Sequence, residues 1–265
     1  MEAIRVVVHG ALGRMGREVI KAVVREPGLM VVGAVEKEVA QKYLPLAETR
    51  DLVPFSADLY SLLKDCNADV VVDFTNAEAS MAAARIALKQ KVNVVIGTTG
   101  LSEENLAEIA QLSKENNVGA VVAPNFSLGA ALLIHLSKFV AKFFDYAEII
   151  EMHHEKKADA PSGTAVATAK AMLQARGKPF IYPEVTKEVL SHTRGGQLDG
   201  IAIHSVRAPG FMAAQEVIFS GPGETLSLRH NAMSRECYLP GVILAIKEVV
   251  KRKGLTYGLD ALINL

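Results

Sequence analysis

Five short, nearly continuous apolar runs, at residues 4–8, 30–35, 70–73, 92–96 and 119–122, constrain this chain more than any other feature. Each is rich in Val or Ile and ends in polar or glycine residues. A strand that is apolar at successive positions needs cover on both faces. Segments 13–25, 77–89 and 102–115 lie between these runs with helical spacing, and Ser102 stands where an N-cap belongs. Strand–helix alternation of this kind implies a parallel sheet with helices on both sides. The expected class is therefore α/β, a Rossmann-like doubly wound parallel sheet.

The pattern changes after Pro124. Residues 128–143 read as one long apolar helix, 147–153 as a strand, and 162–176 as a helix entered through Pro161. Runs 201–207, 215–219 and 225–231 are strand-like, with Pro209-Gly210 and Gly221-Pro222-Gly223 between them and no helix. Such spacing predicts an antiparallel meander. Residues 240–252 return to helix. The second half therefore reads as an inserted α+β domain, residues 127–235, inside a first domain made of 1–126 plus 236–265.

The first strand runs into Gly10, Gly13 and Gly16, spaced G-x-x-G-x-x-G. Where a strand turns into a helix, small residues let the backbone turn tightly and approach a pyrophosphate, which the helix N-terminus then favours. The spacing departs from G-x-G-x-x-G because Leu12 stands at the usual middle glycine. The turn points to dinucleotide binding, against the plainer reading of a turn that serves only packing. Glu36 closes the second strand about 20 residues on, where an acid can bond the ribose hydroxyls. Lys37 follows and can offset a 2′-phosphate, so NADH and NADPH both remain open. Gly97-Thr98-Thr99-Gly100 follows the strand 92–96, at the edge where open α/β sheets bind ligands.

The chemistry is expected in residues 151–165, E-M-H-H-E-K-K-A-D-A-P-S-G-T-A. Adjacent strand residues point to opposite faces, so His153 and His154 converge only where the strand breaks. Ser162 as N-cap leaves the amides of Gly163 and Thr164 for an anion, and Lys157 adds a positive charge. Imidazole, ammonium and amide donors together suit a small dicarboxylate that is both held and protonated. A solvated histidine pair and charge run is the competing reading. No H-E-x-x-H or matching cysteine set accompanies the pair, so no metal is expected.

Lys plus Arg and Asp plus Glu each number 29, so the formal net charge is zero and no nucleic-acid or anionic-membrane partner is implied. Two cysteines, Cys66 and Cys237, without a C-x-x-C, fit a reducing cytoplasm. No signal-type stretch and no apolar run near the required ~20 residues is present, so no membrane association is expected.

The chain as a whole resembles the dihydrodipicolinate reductases. The resemblance rests on V-x-G-A-x-G-R-M-G-R at 8–17, D-F-T at 73–75, G-T-T-G at 97–100, N-F-S-x-G at 125–129 and above all E-x-H-H-x-x-K-x-D-A-P-S-G-T-A at 151–165. Arg194-Gly195, I-H-S-V-R at 203–207 and Gly258-Leu259-Asp260 add to it. The resemblance implies NAD(P)H-dependent reduction of 4-hydroxy-tetrahydrodipicolinate, a cyclic imine dicarboxylate, in diaminopimelate and lysine synthesis. It implies an inserted domain that serves substrate binding and homotetramer formation, with hinges near 125–129 and 234–237. Gly10, Ala11, Leu12, Gly13, Arg14, Met15, Glu36, Gly97, Thr98 and Thr99 then contact the cofactor, and Ala123, Pro124, Asn125 and Phe126 lie beside the nicotinamide. His153 becomes the proton donor or acceptor, Lys157 the second donor or carboxylate partner, and His154, Gly163 and Thr164 the substrate-binding set. Asn76 and Lys37 depart from the basic residue and the arginine that some members carry, which leaves the NADH–NADPH preference open. Another amino-acid dehydrogenase leaves the 151–165 cluster without a reason, and a non-catalytic NAD(H)-sensing module has no need of His153 and Lys157.

Overall fold

The computed structural model describes residues 2–47 and 49–263. The chain divides into two compact units, one built from the segments up to Leu128 and from Arg235 onward, the other from Gly129 to Ser234. The first segment runs β1 (Ile4–His9), α1 (Arg14–Arg25), β2 (Leu29–Val35), β3 (Tyr43–Pro45), β4 (Leu52–Ser56), α2 (Leu59–Cys66), β5 (Val70–Asp73), α3 (Ala77–Lys89), β6 (Asn93–Ile96), α4 (Glu103–Glu115) and β7 (Gly119–Val122). The middle holds α5 (Leu128–Val140), β8 (Tyr146–His153), α6 (Gly163–Arg176), β9 (Gly196–Leu198), β10 (Ile201–Arg207), β11 (Ala213–Gly221) and β12 (Glu224–Ala232). A 3-10 turn (Arg235–Tyr238), α7 (Leu239–Val249) and β13 (Gly254–Tyr257) complete the chain.

The first unit is a Rossmann-like sheet of order β13-β7-β6-β5-β1-β2-β4-β3, parallel except where β3 pairs antiparallel with β4 at the edge. β5 and β7 are buried at every position, β7 and the three valines of β5 as their apolar sequences require. Burying a Val or Ile contributes about 1.5–3 kcal/mol, so the core under these strands outweighs the weak helix propensities around it. Val7, Val71, Val94, Ile96, Ala120 and Val122 form one cluster with Ala84, Ala87 and Leu88 of α3 and Ile109 of α4. Ser102 caps α4 through a reciprocal box with Asn105, and Asn76 caps α3. The segments 37–68 add β3, β4 and α2, which sequence spacing does not reveal.

The second unit is a five-stranded sheet of order β12-β11-β8-β10-β9 with α5 and α6 supplying core residues on one face. This corrects the expected three-strand meander: β10 and β11 do not pair. β10 lies parallel to β8 on one edge and β11 lies antiparallel to β8 on the other, so only β11 and β12 form a hairpin. The strand that can be buried most deeply takes the centre, and Ala147 and Ile149 of β8 are almost fully buried. The short link from β10 to β11 therefore passes over the end of β8, where Ala208 N–H donates to the His153 carbonyl at 3.1 Å. The helix expected over 128–143 ends at Val140, and the tail helix spans Leu239–Val249. Among the described residues no helix is long and apolar enough to cross a membrane.

Candidate active site

The parallel strands of the first unit end in one register row. Val35, His9, Asp73, Ile96 and Val122 are successive partners across β2, β1, β5, β6 and β7. The next residues, Glu36, Gly10, Phe74, Gly97 and Ala123, thus leave the sheet at the same edge. This is why segments far apart in sequence, 10–15, 36–37, 97–99 and 123–126, gather at one place.

At that edge Gly10 has φ +77°, a left-handed value that a side chain disfavours. Its N–H and that of Ala11 donate to the Val35 carbonyl at 2.9 and 3.1 Å, and Gly13 N–H donates to the Gly10 carbonyl at 3.0 Å. Arg17 N–H makes the first helical bond, to Gly13, at 3.1 Å. The amides of Arg14, Met15 and Gly16 precede it and have no intrahelical acceptor. Gly13 itself offers no side-chain cap. An uncapped helix start behind a tight glycine turn fits a pyrophosphate. Glu36 is tied to the same turn, accepting from Leu12 N–H at 2.9 Å and Lys37 N–H at 3.1 Å. Lys37 is exposed.

Asp73 is buried at the centre of this edge and accepts from the His9 ring, from the Ser80 hydroxyl, from Thr98 Oγ1 at 3.0 Å and from Thr75 N–H at 3.2 Å. Burial opposes its ionisation most strongly, yet the His9, Ser80 and Thr75 bonds together hold the carboxyl below its ordinary value. Thr98 therefore turns its hydroxyl inward, whereas Thr99 is exposed. A Cβ on Gly97 would stand 2.0 Å from the Phe74 ring, which packs on Phe126 with centroids 5.6 Å apart. Glycine at 97 is thus required by aromatic packing. Ala123 and Phe126 are buried, Pro124 is exposed, and Asn125 Oδ1 accepts from Ser127 N–H at 2.9 Å.

In the second unit, period-two alternation places Ala147, Ile149, Glu151 and His153 on the helix-covered face of β8. The apolar row thus ends in a fully buried carboxylate and then a half-buried imidazole. Glu151 Oε2 accepts from His153 Nδ1 at 2.6 Å. Arg207, beside His153 in register on β10, donates to Oε1 at 2.7 Å and Oε2 at 2.9 Å. Ser162 N–H adds a bond to Oε1 at 3.2 Å. Burial lowers the basicity of His153, the Glu151 bond partly restores it, and Lys157 and Arg207 lower it again; the balance is a depressed pKa.

β8 stops at His153, and the chain leaves with Lys157 N–H donating to the His154 carbonyl at 3.1 Å. Lys157 Nζ bonds Asp159 at 2.7 Å. That bond, aided by Asp159's own backbone amide, holds the Asp159 carboxyl below its usual range. Ser162 caps α6 by accepting from Ala165 N–H at 3.2 Å, and the Thr164 amide has no acceptor among the described residues. His153, Lys157, Gly163 and Thr164 therefore share one end of the sheet. His154 follows His153 directly, is exposed, and its ring makes no hydrogen bond among the described residues. The set can hold a carboxylate and pass a proton. No group of three or more His, Cys, Asp or Glu among the described residues is placed to hold a metal.

Sequence reasoning assigned no role to Glu151, Arg207, Asp73, His9 or Ser80. A charged residue on the apolar face of a strand was the available signal: Glu151 continues the Ala147–Ile149 row, and Asp73 ends an otherwise all-valine strand.

Comparison with known proteins returns two family profiles, described as dihydrodipicolinate reductase N-terminus over residues 4–126 and C-terminus over 129–263. A 4-hydroxy-tetrahydrodipicolinate reductase of Dehalococcoides mccartyi is 54% identical, covering all of both chains. One from Moorella thermoacetica is 47% identical over 98% of each. A dipicolinate-bound dihydrodipicolinate reductase from Paenisporosarcina sp. TG-14 superposes with a TM-score of 0.87 at 36% identity, over 97% of this chain and 98% of that one. An amine dehydrogenase from Mycobacterium smegmatis, 17% identical with a TM-score of 0.64 over 97% and 95% of the two chains, shares the fold alone.

Proposed function

Because the chain belongs to the dihydrodipicolinate reductase family, we propose that its two units divide one reduction, the first holding NADH or NADPH and the second binding and protonating the substrate. The enzyme reduces 4-hydroxy-tetrahydrodipicolinate to tetrahydrodipicolinate in the diaminopimelate route to lysine. One observation carries the division of labour: His153, Lys157 and the amides of Gly163 and Thr164 gather at the end of β8.

In this reading the amides of the turn, from Gly10 through Met15, face the pyrophosphate, Glu36 the ribose, and Lys37 a 2′-phosphate when present. Gly97, Thr98, Thr99 and Ala123 to Phe126 shape the nicotinamide end. The bound reduced nicotinamide supplies the hydride that the substrate ring takes at C4 after loss of its hydroxyl as water. The enamine left behind needs a proton at C3, and His153 provides it, with Lys157 as carboxylate partner or second donor. Gly163 and Thr164 amides hold a substrate carboxylate at the α6 N-terminus, and His154 contacts substrate from the exposed side. Position, anchoring and the proton are the protein's contribution.

The open face of the second sheet supports assembly as a homotetramer, with Tyr146 of β8 and Val206 of β10 exposed on it. Half-buried free thiols at Cys66 and Cys237 support a cytoplasmic location. Light scattering giving a monomer at working concentration would exclude the assembly.

The assay follows oxidation of NADH and of NADPH with substrate generated from pyruvate and aspartate semialdehyde. Turnover with at least one cofactor is expected. No oxidation with either would end the reading.

A further inference from the structure

Glu151 is a fully buried carboxylate engaged by three separate elements of the second unit. His153 of β8 donates at 2.6 Å, Arg207 of β10 at 2.7 and 2.9 Å, and the Ser162 amide at the start of α6 at 3.2 Å. A carboxylate that lies in a forked guanidinium pair is ionised and can only accept. The His153 nitrogen facing it, Nδ1, must therefore carry a hydrogen. That leaves Nε2 as the atom that takes up and gives away the mobile proton.

The same carboxylate reaches the other half of the site. Ser162 caps α6, and the Gly163 and Thr164 amides follow it directly. Its bond to Oε1 ties that helix start to Glu151, while Oε2 holds the imidazole. Arg207 balances the charge, which removes the penalty that an unpaired buried carboxylate would carry.

We propose that Glu151 is a positioning residue that fixes the Nδ1–H tautomer and ring orientation of His153 while holding the α6 N-terminus, so that proton donor and carboxylate anchor share one frame. This rests on the reading of His153 as proton donor. The charged groups facing the ring are Glu151 of β8, Arg207 of β10 and Lys157 of the following loop, which is itself bonded to Asp159. Among them Glu151 alone favours the imidazolium. Its neutral replacement moves the proton-dependent limb of the pH–rate profile to lower pH.

The test combines nitrogen-15 NMR of the imidazole with kinetics of Glu151→Gln, Glu151→Asp, His153→Gln and the Glu151→Gln/His153→Gln double variant in the full enzyme. In the unmodified enzyme the His153 ring is expected as the Nδ1–H tautomer, with that proton far downfield. A ring found as the Nε2–H tautomer overturns the proposal and needs no variant. Glu151→Gln is expected to lose this signature and at least about tenfold in kcat, with KM for the cofactor unchanged. In the His153→Gln background the same change is expected to cost clearly less kcat, the remainder being the share of the α6 start that Glu151 also holds. An equal loss in both backgrounds would mean that Glu151 acts without His153, and overturns the proposal. Glu151→Asp keeps the charge and is expected to retain the tautomer with intermediate kcat; if Glu151→Gln does not fold, loss of the tautomer in folded Glu151→Asp overturns it. Full turnover by His153→Gln, in contrast, overturns the donor assignment, and does so in a measurement separate from the tautomer.

Discussion

A Cβ placed on Gly16 would stand 2.0 Å from the carbonyl oxygen of Gly10. The third glycine of the turn thus sets how closely α1 approaches the end of β1. The same Gly10 carbonyl accepts from Gly13 N–H, so displacing it reshapes the whole turn. Gly16→Ala is expected to raise the NADH dissociation constant at least about tenfold, because overpacking of about 1–3 kcal/mol falls on the turn proposed to hold the pyrophosphate. Fluorescence titration of NADH reads this. Binding within about twofold of the original would show that the turn tolerates the shift. Gly163→Ala is the contrast, since nothing lies within 4 Å of its Cβ and the melting temperature is expected to hold.

Asp73 links β1, β5 and the loop after β6 through one side chain. Asp73→Asn loses charge-assisted bonds in a buried place and is expected to lower stability by about 1–3 kcal/mol at pH 7. The sign with pH follows from the direction of the shift. Its folded pKa lies below the unfolded value near 3.9, so the stabilisation is present above that value and is lost as pH falls through the folded pKa. Thermal melts of both proteins should therefore converge below about pH 4. A gap that widens on acidification would contradict the ionised assignment.

His153→Gln is expected to lower kcat at least about tenfold, the low end for loss of a general acid. The pH profile carries more information. Burial, Lys157 and Arg207 outweigh Glu151 and depress the imidazole, so the proton-donating form is lost as pH rises through a value below 6.5 in the free enzyme. That limb appears in kcat/KM. A dicarboxylate substrate brings negative charge near the ring and raises its pKa, so the limb in kcat lies at higher pH. His153→Gln should lack both limbs. Limbs that persist in the variant would assign the proton elsewhere.

The large strands and helices were legible because β5 and β7 are buried throughout, and Asp73 at the end of β5 is the one charged residue in them. β3 and β4 were not, since each is short and carries a proline, Pro45 and Pro54, that argues against a strand. Eight-residue α2 is too brief for a clear period, although Asp58 caps it. The misread meander has another cause: Pro209-Gly210 marks a turn but not which edge of the sheet the chain returns to. Within the site, hydrogen donors were readable as residue types. Partners such as Arg207, 56 residues from Glu151, depend on register and were invisible.

Lys157 and Asp159 should change substrate affinity in opposite directions. The Lys157 ammonium is bonded to Asp159, so an internal acid occupies a donor proposed for the substrate. Lys157→Ala removes a donor and is expected to raise substrate KM at least about tenfold with NADH binding unchanged. Asp159→Asn removes an exposed competitor and is expected to lower KM by up to about fivefold. A rise in KM for Asp159→Asn would instead make Asp159 a support for Lys157.

Cofactor choice is expected to turn on Glu36 and Lys37. The Glu36 carboxylate is anchored by the Leu12 and Lys37 amides at 2.9 and 3.1 Å, which places a negative charge beside the glycine turn and disfavours a 2′-phosphate. Lys37 is adjacent and exposed, free to swing toward that phosphate. The two effects oppose each other, so Michaelis constants for NADH and NADPH are expected within about a hundredfold, or roughly 2.7 kcal/mol. Glu36→Gln keeps the shape, removes the charge and should shift the ratio toward NADPH; Lys37→Ala should shift it toward NADH. Steady-state kinetics with both cofactors on the three proteins decide the matter. A ratio beyond a hundredfold in the unmodified enzyme, or shifts of the same sign in the two variants, would rule out this balance.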